Sequence, residues 1–173
     1  LSQGKLPIPC IVFVREIARV EEVVSILQQI GFKVSGISSQ KSPRQREESI
    51  DDFRLGKSAF LVATDVLARG MDFKNVKCVL NYDCPETLAT YVHRVGRTGR
   101  AGNSGIAITF FSKQDTDSLR SIGNAVKASG GEVPDWILSL KKYDNSQIRR
   151  RKKRLALNGG DSGAKVEKGN RKK

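Results

Sequence analysis

Five short apolar runs, set apart by stretches with helical spacing, constrain this chain more than any other feature of its sequence. Cys10 to Val14, Lys33 to Ile37, Phe60 to Thr64, Val76 to Tyr82 and Gly105 to Phe111 read as strands. Between them the apolar period changes to that of a helix. Val20, Val23, Val24, Leu27 and Ile30 keep i, i+3, i+4, i+7 spacing, and Gly31 stops that helix. A second helix starts at Pro43, turns Ile50, Phe53 and Leu55 inward, and ends at Gly56. Thr87 caps a third, which runs to Val95, and Lys113 to Ser129 forms a last amphipathic helix before Gly130-Gly131. Buried strands alternating with helices of ordinary length imply βαβ units, an α/β class and a mostly parallel sheet. In such a sheet the working residues lie just beyond the carboxyl ends of the strands.

Charge divides the chain in two. The formal net charge is +13 over 173 residues. Residues 141–173 hold eight Lys and five Arg against three acidic residues, which leaves only +3 for residues 1–140. Residues 1–140 are therefore expected to form one domain, followed by a basic tail at 141–173. Within the tail, 146–156 reads as a short helix and 156–173 as disordered, because Gly, Asn, Ser and Lys bury too little apolar surface to offset ordering entropy. Arg149 to Arg154 reads as an auxiliary polyanion contact, a nuclear localisation signal or a solvated charge run. No apolar run is long enough to span a bilayer, and Leu1 to Lys5 has no signal-peptide core. The missing initiator Met suggests an excised fragment. Cys10, Cys78 and Cys84 are an odd count without CxxC spacing, which points to buried thiols in a reducing compartment.

Two segments carry the chemistry. His93-Arg94-Val95-Gly96-Arg97-Thr98-Gly99-Arg100 places three arginines and a histidine among glycines at a helix end. The planar forks of Arg97 and Arg100 suit one phosphate group, and the glycines let the backbone turn tightly beside a ligand. The bland alternative is a basic surface loop. Ala63 to Asp72 directly follows the third strand. There Thr64 can donate to a phosphate, Gly70 permits a tight loop, and Asp72 can accept from a ribose hydroxyl.

Taken together, these ATDxxARGxD and HRxGRxGR patterns resemble the fifth and sixth motifs of DEAD-box RNA helicases, over about residues 8–140. The resemblance implies the second RecA-like domain of such a helicase, a three-layer α/β sandwich. It also implies that Arg97 and Arg100 reach the γ-phosphate of ATP, His93 couples to the acidic motif of the first domain, and Asp72 contacts the ribose. Thr64 would touch the RNA backbone, while Arg94 and Arg69 would be structural or interdomain residues. Cys10 to Phe13 resembles the fourth motif, but Glu16 stands where the family has a Ser or Thr cap. Counting back from Phe53 and Gly56 puts the arginine of a Gln-x-x-Arg motif at Arg46, and Pro43 replaces its glutamine. Arg46 is then an RNA contact, a partner for Phe13 or a solvated helix arginine. Trp136 packs against the fold or stacks on a base. Leu67 to Phe73, Leu80 to Pro85, Ile108 to Phe111 and Ala128 to Pro134 resemble the Rok-type subgroup of small-subunit ribosome biogenesis.

Neither GxxxxGK[ST] nor Asp-Glu-Ala-Asp occurs. The expected ATP and Mg2+ would therefore be bound mainly by an N-terminal RecA-like domain of the same parent, and this chain alone would be inactive. RNA and ribosome-assembly factors are the other expected partners, in the nucleus or nucleolus, with no membrane. The competing readings are a stand-alone RNA-binding module and an interaction scaffold on a RecA-like fold.

Overall fold

Each apolar run becomes a strand of four residues. These are β1 Cys10–Phe13, β2 Val34–Ile37, β3 Phe60–Ala63, β4 Cys78–Asn81 and β5 Ile106–Thr109. They form one sheet in the order β2-β3-β1-β4-β5, and every neighbouring pair is parallel. The computed structural model describes residues 6–65, 73, 75–100 and 102–140. Gly70, Asp72, Arg69 and the whole expected tail, 141–173, lie outside the described residues.

Alternation along the strands makes two cores. Cys10, Val12, Phe60, Val62 and Cys78 face α1, Ile17–Gln29, through Val20, Val23 and Val24. Ile11, Phe13, Ile37, Leu61, Ala63 and Val79 face the other way, against Phe53 and Ile50 of α2, Pro43–Arg54. Helices on both faces give the expected three-layer α/β sandwich. Each fully buried Phe, Ile or Val contributes about 1.5–3 kcal/mol relative to exposure.

Local signals set the helix ends. Gly31 and Gly56 take positive φ, 91° and 71°, immediately beyond α1 and α2. Ser42 accepts from the Gln45 backbone N–H while Gln45 Oε1 accepts from the Ser42 N–H, closing a capping box in front of Pro43. Thr87 Oγ1 accepts from Thr90 N–H and so caps α3, Leu88–Val95. The last expected helix begins with a 3-10 turn, Lys113–Asp115, and continues as α4, Thr116–Ala128. A further short helix, α5 Asp135–Leu138, was not expected.

Some inward assignments fail. Ile30 and Leu55 are exposed, because each is the C-cap residue of its helix, where the chain turns away from the sheet. Strand β5 is an edge strand and half exposed, with Ile106 at 49%. Its membership of the ladder is set by backbone pairing with β4 rather than by burial. Trp136 is half exposed and lies against Phe111, with ring centroids 5.7 Å apart. All three cysteines are buried free thiols. Cys10 and Cys78 are register partners, and the neighbouring Cys78 thiol, with burial, pushes the Cys10 thiol far up. Burial pushes Cys84 up to about 11.

Replacing Ser42 with Ala should destabilise the domain by about 1 kcal/mol, since the Gln45 backbone N–H loses its partner and the capping box is broken. Urea unfolding monitored by circular dichroism would measure it, and a loss below about 0.3 kcal/mol would show the box to be idle.

Candidate functional site

The carboxyl ends of the strands meet in one row. Ile37, Ala63, Phe13, Asn81 and Thr109 are successive register partners across β2, β3, β1, β4 and β5. The row is apolar over the first three strands and polar over the last two. All five residues have the same strand parity and share the face that carries α2.

Arg94 of α3 closes this row. It is 3% exposed, and four hydrogen bonds occupy its guanidinium. Nε and Nη2 donate to the two oxygens of Asp65, just beyond β3, at 2.7 and 2.8 Å. Nη1 donates to Asn81 Oδ1 at 3.2 Å and to the Asp83 carbonyl at 2.8 Å. The cation also lies over the Phe13 ring, 5.2 Å from its centroid. One side chain therefore holds the ends of β3, β1 and β4 to α3. A planar fork is what this geometry needs, and a lysine could not reproduce it. Arg94 is held inside the fold, the structural one of the two roles, structural or interdomain, that the resemblance implied.

Asn81 is fully buried and satisfied at both ends. Its Oδ1 accepts from Arg94, and its Nδ2 donates to Thr109 Oγ1 at 2.9 Å. A second clasp holds the chain entering α3. The Arg15 backbone N–H donates to Asp83 Oδ2 at 2.8 Å, and its Nη2 donates to the Cys84 carbonyl at 3.2 Å. The same side chain reaches Glu86 and Asp115 at 3.5 and 3.7 Å.

With α3 fixed at both ends, the arginine loop follows from its C-terminus. Arg97 Nε donates to the His93 carbonyl at 3.3 Å, and Arg100 Nε donates to the Gly96 carbonyl at 2.6 Å. Each guanidinium is thus oriented by the carbonyl four residues before it. Thr98 Oγ1 donates to the Val76 carbonyl at 2.5 Å, which ties the loop to the approach of β4. Gly99 takes φ +68°, a conformation that only glycine adopts easily. A Cβ on Gly105 would overlap the Thr98 side chain and come within 2.6 Å of the Gly99 nitrogen. The return strand thus packs directly against the loop.

The expected site residues divide into groups. His93, Arg97 and Arg100 come together on one helix end and its loop, with His93 and Arg100 exposed. Thr64 follows β3 directly and is buried, next to the Asp65 that pairs with Arg94. Arg46 lies on α2, partly buried, and its Nε meets no acceptor among the described residues. Glu16 is the N-cap of α1, but its side chain makes no capping hydrogen bond. Among the described residues no group of three His, Cys, Asp or Glu side chains could hold a metal ion, and no helix is long and apolar enough to cross a membrane.

The all-parallel five-stranded sheet with helices on both faces is a RecA-like domain architecture. Residues 5–102 match the helicase conserved C-terminal domain, and the chain belongs to that family. Its relatives are DEAD-box RNA helicases. It is 45% identical over 134 residues to DEAD-box ATP-dependent RNA helicase 57 of Arabidopsis thaliana, covering 78% of this chain and 25% of that protein. It is 40% identical over 149 residues to ATP-dependent RNA helicase ROK1 of Meyerozyma guilliermondii, covering 85% of this chain and 28% of the relative. Among solved structures, the ADP-bound RNA helicase Prp28 of Chaetomium thermophilum is 37% identical with a TM-score of 0.71, over 79% of this chain and 34% of that one. The chain thus spans about a quarter of the length of these curated relatives.

Arg94→Lys should destabilise the domain by about 2–3 kcal/mol, because one ammonium leaves a partly buried carboxylate and the Asn81 amide without their partners. Thermal and urea unfolding would measure the change. A loss under about 0.5 kcal/mol would remove Arg94 from the centre of the fold.

Proposed function

We propose that this chain is the C-terminal half of the motor of an ATP-dependent DEAD-box RNA helicase. It supplies Arg97 and Arg100 to the γ-phosphate of ATP held mainly by an N-terminal RecA-like domain of the same parent. The observation that carries the reading is the pair of guanidiniums beyond α3, each tied back to a helix carbonyl while Arg94 anchors the helix itself. A helix C-terminus repels anions. Phosphate attraction at this end must therefore come from side chains, and two arginines one turn apart supply it.

As arginine fingers, Arg97 and Arg100 would neutralise charge developing on the transferred phosphoryl oxygens, an effect worth roughly 10³–10⁵ in rate. His93, exposed on the same helix, would meet the acidic motif of the N-terminal domain. Gly70 and Asp72 would shape the ribose contact, and Mg2+ would accompany the nucleotide on the N-terminal side. Thr64 and Arg46 would contribute to an RNA backbone clamp, which positions the strand without reading its sequence. Similarity to ROK1 supports RNA remodelling in ribosome biogenesis, and with it a nuclear or nucleolar site and assembly-factor partners.

Arg97→Ala and Arg100→Ala, each in the full-length parent, should abolish RNA-stimulated ATP hydrolysis while leaving the unfolding midpoint within about 2 °C. Near-wild-type turnover in both would sink the assignment. Deleting 141–173, with its net charge of +10, should lower RNA affinity and flatten the dependence of log Kd on log salt. An unchanged slope would show that the tail is not an auxiliary RNA contact.

A further inference from the structure

The geometry points to Asn81 and Thr109 as positioning residues for the two arginine fingers, acting through Arg94 from the edge strand of the sheet. This rests on the finger reading above and deepens it. Neither residue lies in the arginine loop or in the segment after β3. They face each other as register partners on β4 and β5, at the carboxyl end of the sheet.

The orientation of the Asn81 amide is dictated by its neighbours. A guanidinium has donors only, so the atom facing Arg94 must be the amide oxygen. Nδ2 then points the other way, and Thr109 Oγ1 is placed to receive it at 2.9 Å. The threonine hydroxyl thus selects the one amide rotamer that can accept from Arg94. Without it, a fully buried NH2 group would be unpaired, and rotating the amide toward another partner would withdraw the oxygen from Arg94. Arg94 sits three residues before Arg97 and six before Arg100, on the last turn of the helix from which both emerge. A small shift of its guanidinium therefore reaches both fingers, and reaction rates are sensitive to such displacements.

The effect should fall on turnover. Fingers act on charge that develops in the transition state, so misplacing them lowers kcat more than it alters ATP binding. Thr109→Val is the informative variant, because it removes the hydroxyl, keeps the shape, and lies on a partly exposed edge strand. In the full-length parent, Thr109→Val should lower the kcat of RNA-stimulated ATP hydrolysis roughly three- to tenfold, with KM for ATP changed by less than about twofold. Its melting temperature should stay within about 3 °C of wild type. Thr109→Ser keeps the hydroxyl and should restore kcat. Wild-type kcat in Thr109→Val would overturn the proposal. So would an equal loss in Thr109→Ser, which would mean that the methyl group matters and the hydrogen bond does not. Arg97→Ala and Arg100→Ala, run alongside, separate the two claims. If they retain turnover the finger reading itself fails, whereas if they lose it and Thr109→Val does not, only the positioning role fails.

Discussion

The buried guanidinium of Arg94 is the constraint around which the carboxyl edge of the sheet is arranged. Removing a cation from water is unfavourable unless its donors are met, and here a bidentate carboxylate, an amide oxygen and a backbone carbonyl meet four of the five. The Phe13 ring beneath it supplies an apolar floor with a negative face. With Phe13, those partners come from the ends of three strands, β1, β3 and β4, that are far apart in sequence. The interaction consequently adds to the core a fixed relation between the strand ends and α3, which apolar contacts alone leave free to slide.

The arginine loop inherits its geometry from that relation. Two restraints define it, the Thr98 hydroxyl on the Val76 carbonyl and the close approach of Gly105. Arg97 and Arg100 each donate a hydrogen bond to a carbonyl of their own chain, so their planes are set before any ligand arrives. The loop sets two guanidiniums at a helix end whose backbone disfavours anions.

Much of this was legible in the sequence. The five strands, their class, the glycine stops and the Thr87 cap follow from local rules that operate over a few residues. The resemblance placed Arg94 as structural or interdomain, but its partners could not be read. Asp65, Asn81 and Asp83 are 29, 13 and 11 residues away, and periodicity carries no information about which polar groups meet across a sheet. For the same reason the Asn81–Thr109 pair went unnoticed, although Thr109 stands in a strand that was identified. The exposure of β5 was missed because an apolar run looks the same at an edge as in the centre. Leu55 and Ile30 fit the helical period but fall one residue past the last full turn, where period no longer implies burial. The cation over the Phe13 ring comes from Arg94, 81 residues further along the chain, a contact that no local pattern shows.

Because the strands are short and parallel, with their ends in one register row, threading errors are cheap in backbone hydrogen bonds. A slip of β4 by one residue would retain most of the ladder, yet turn Asn81 to the opposite face and lift the Asp83 carbonyl away from Arg94. The guanidinium would then be sealed in without acceptors, a state far costlier than the lost ladder bond. Arg94 thus works as a proofreader of strand alignment: a chain that has threaded its sheet wrongly cannot close over its own arginine, and so cannot display the other two.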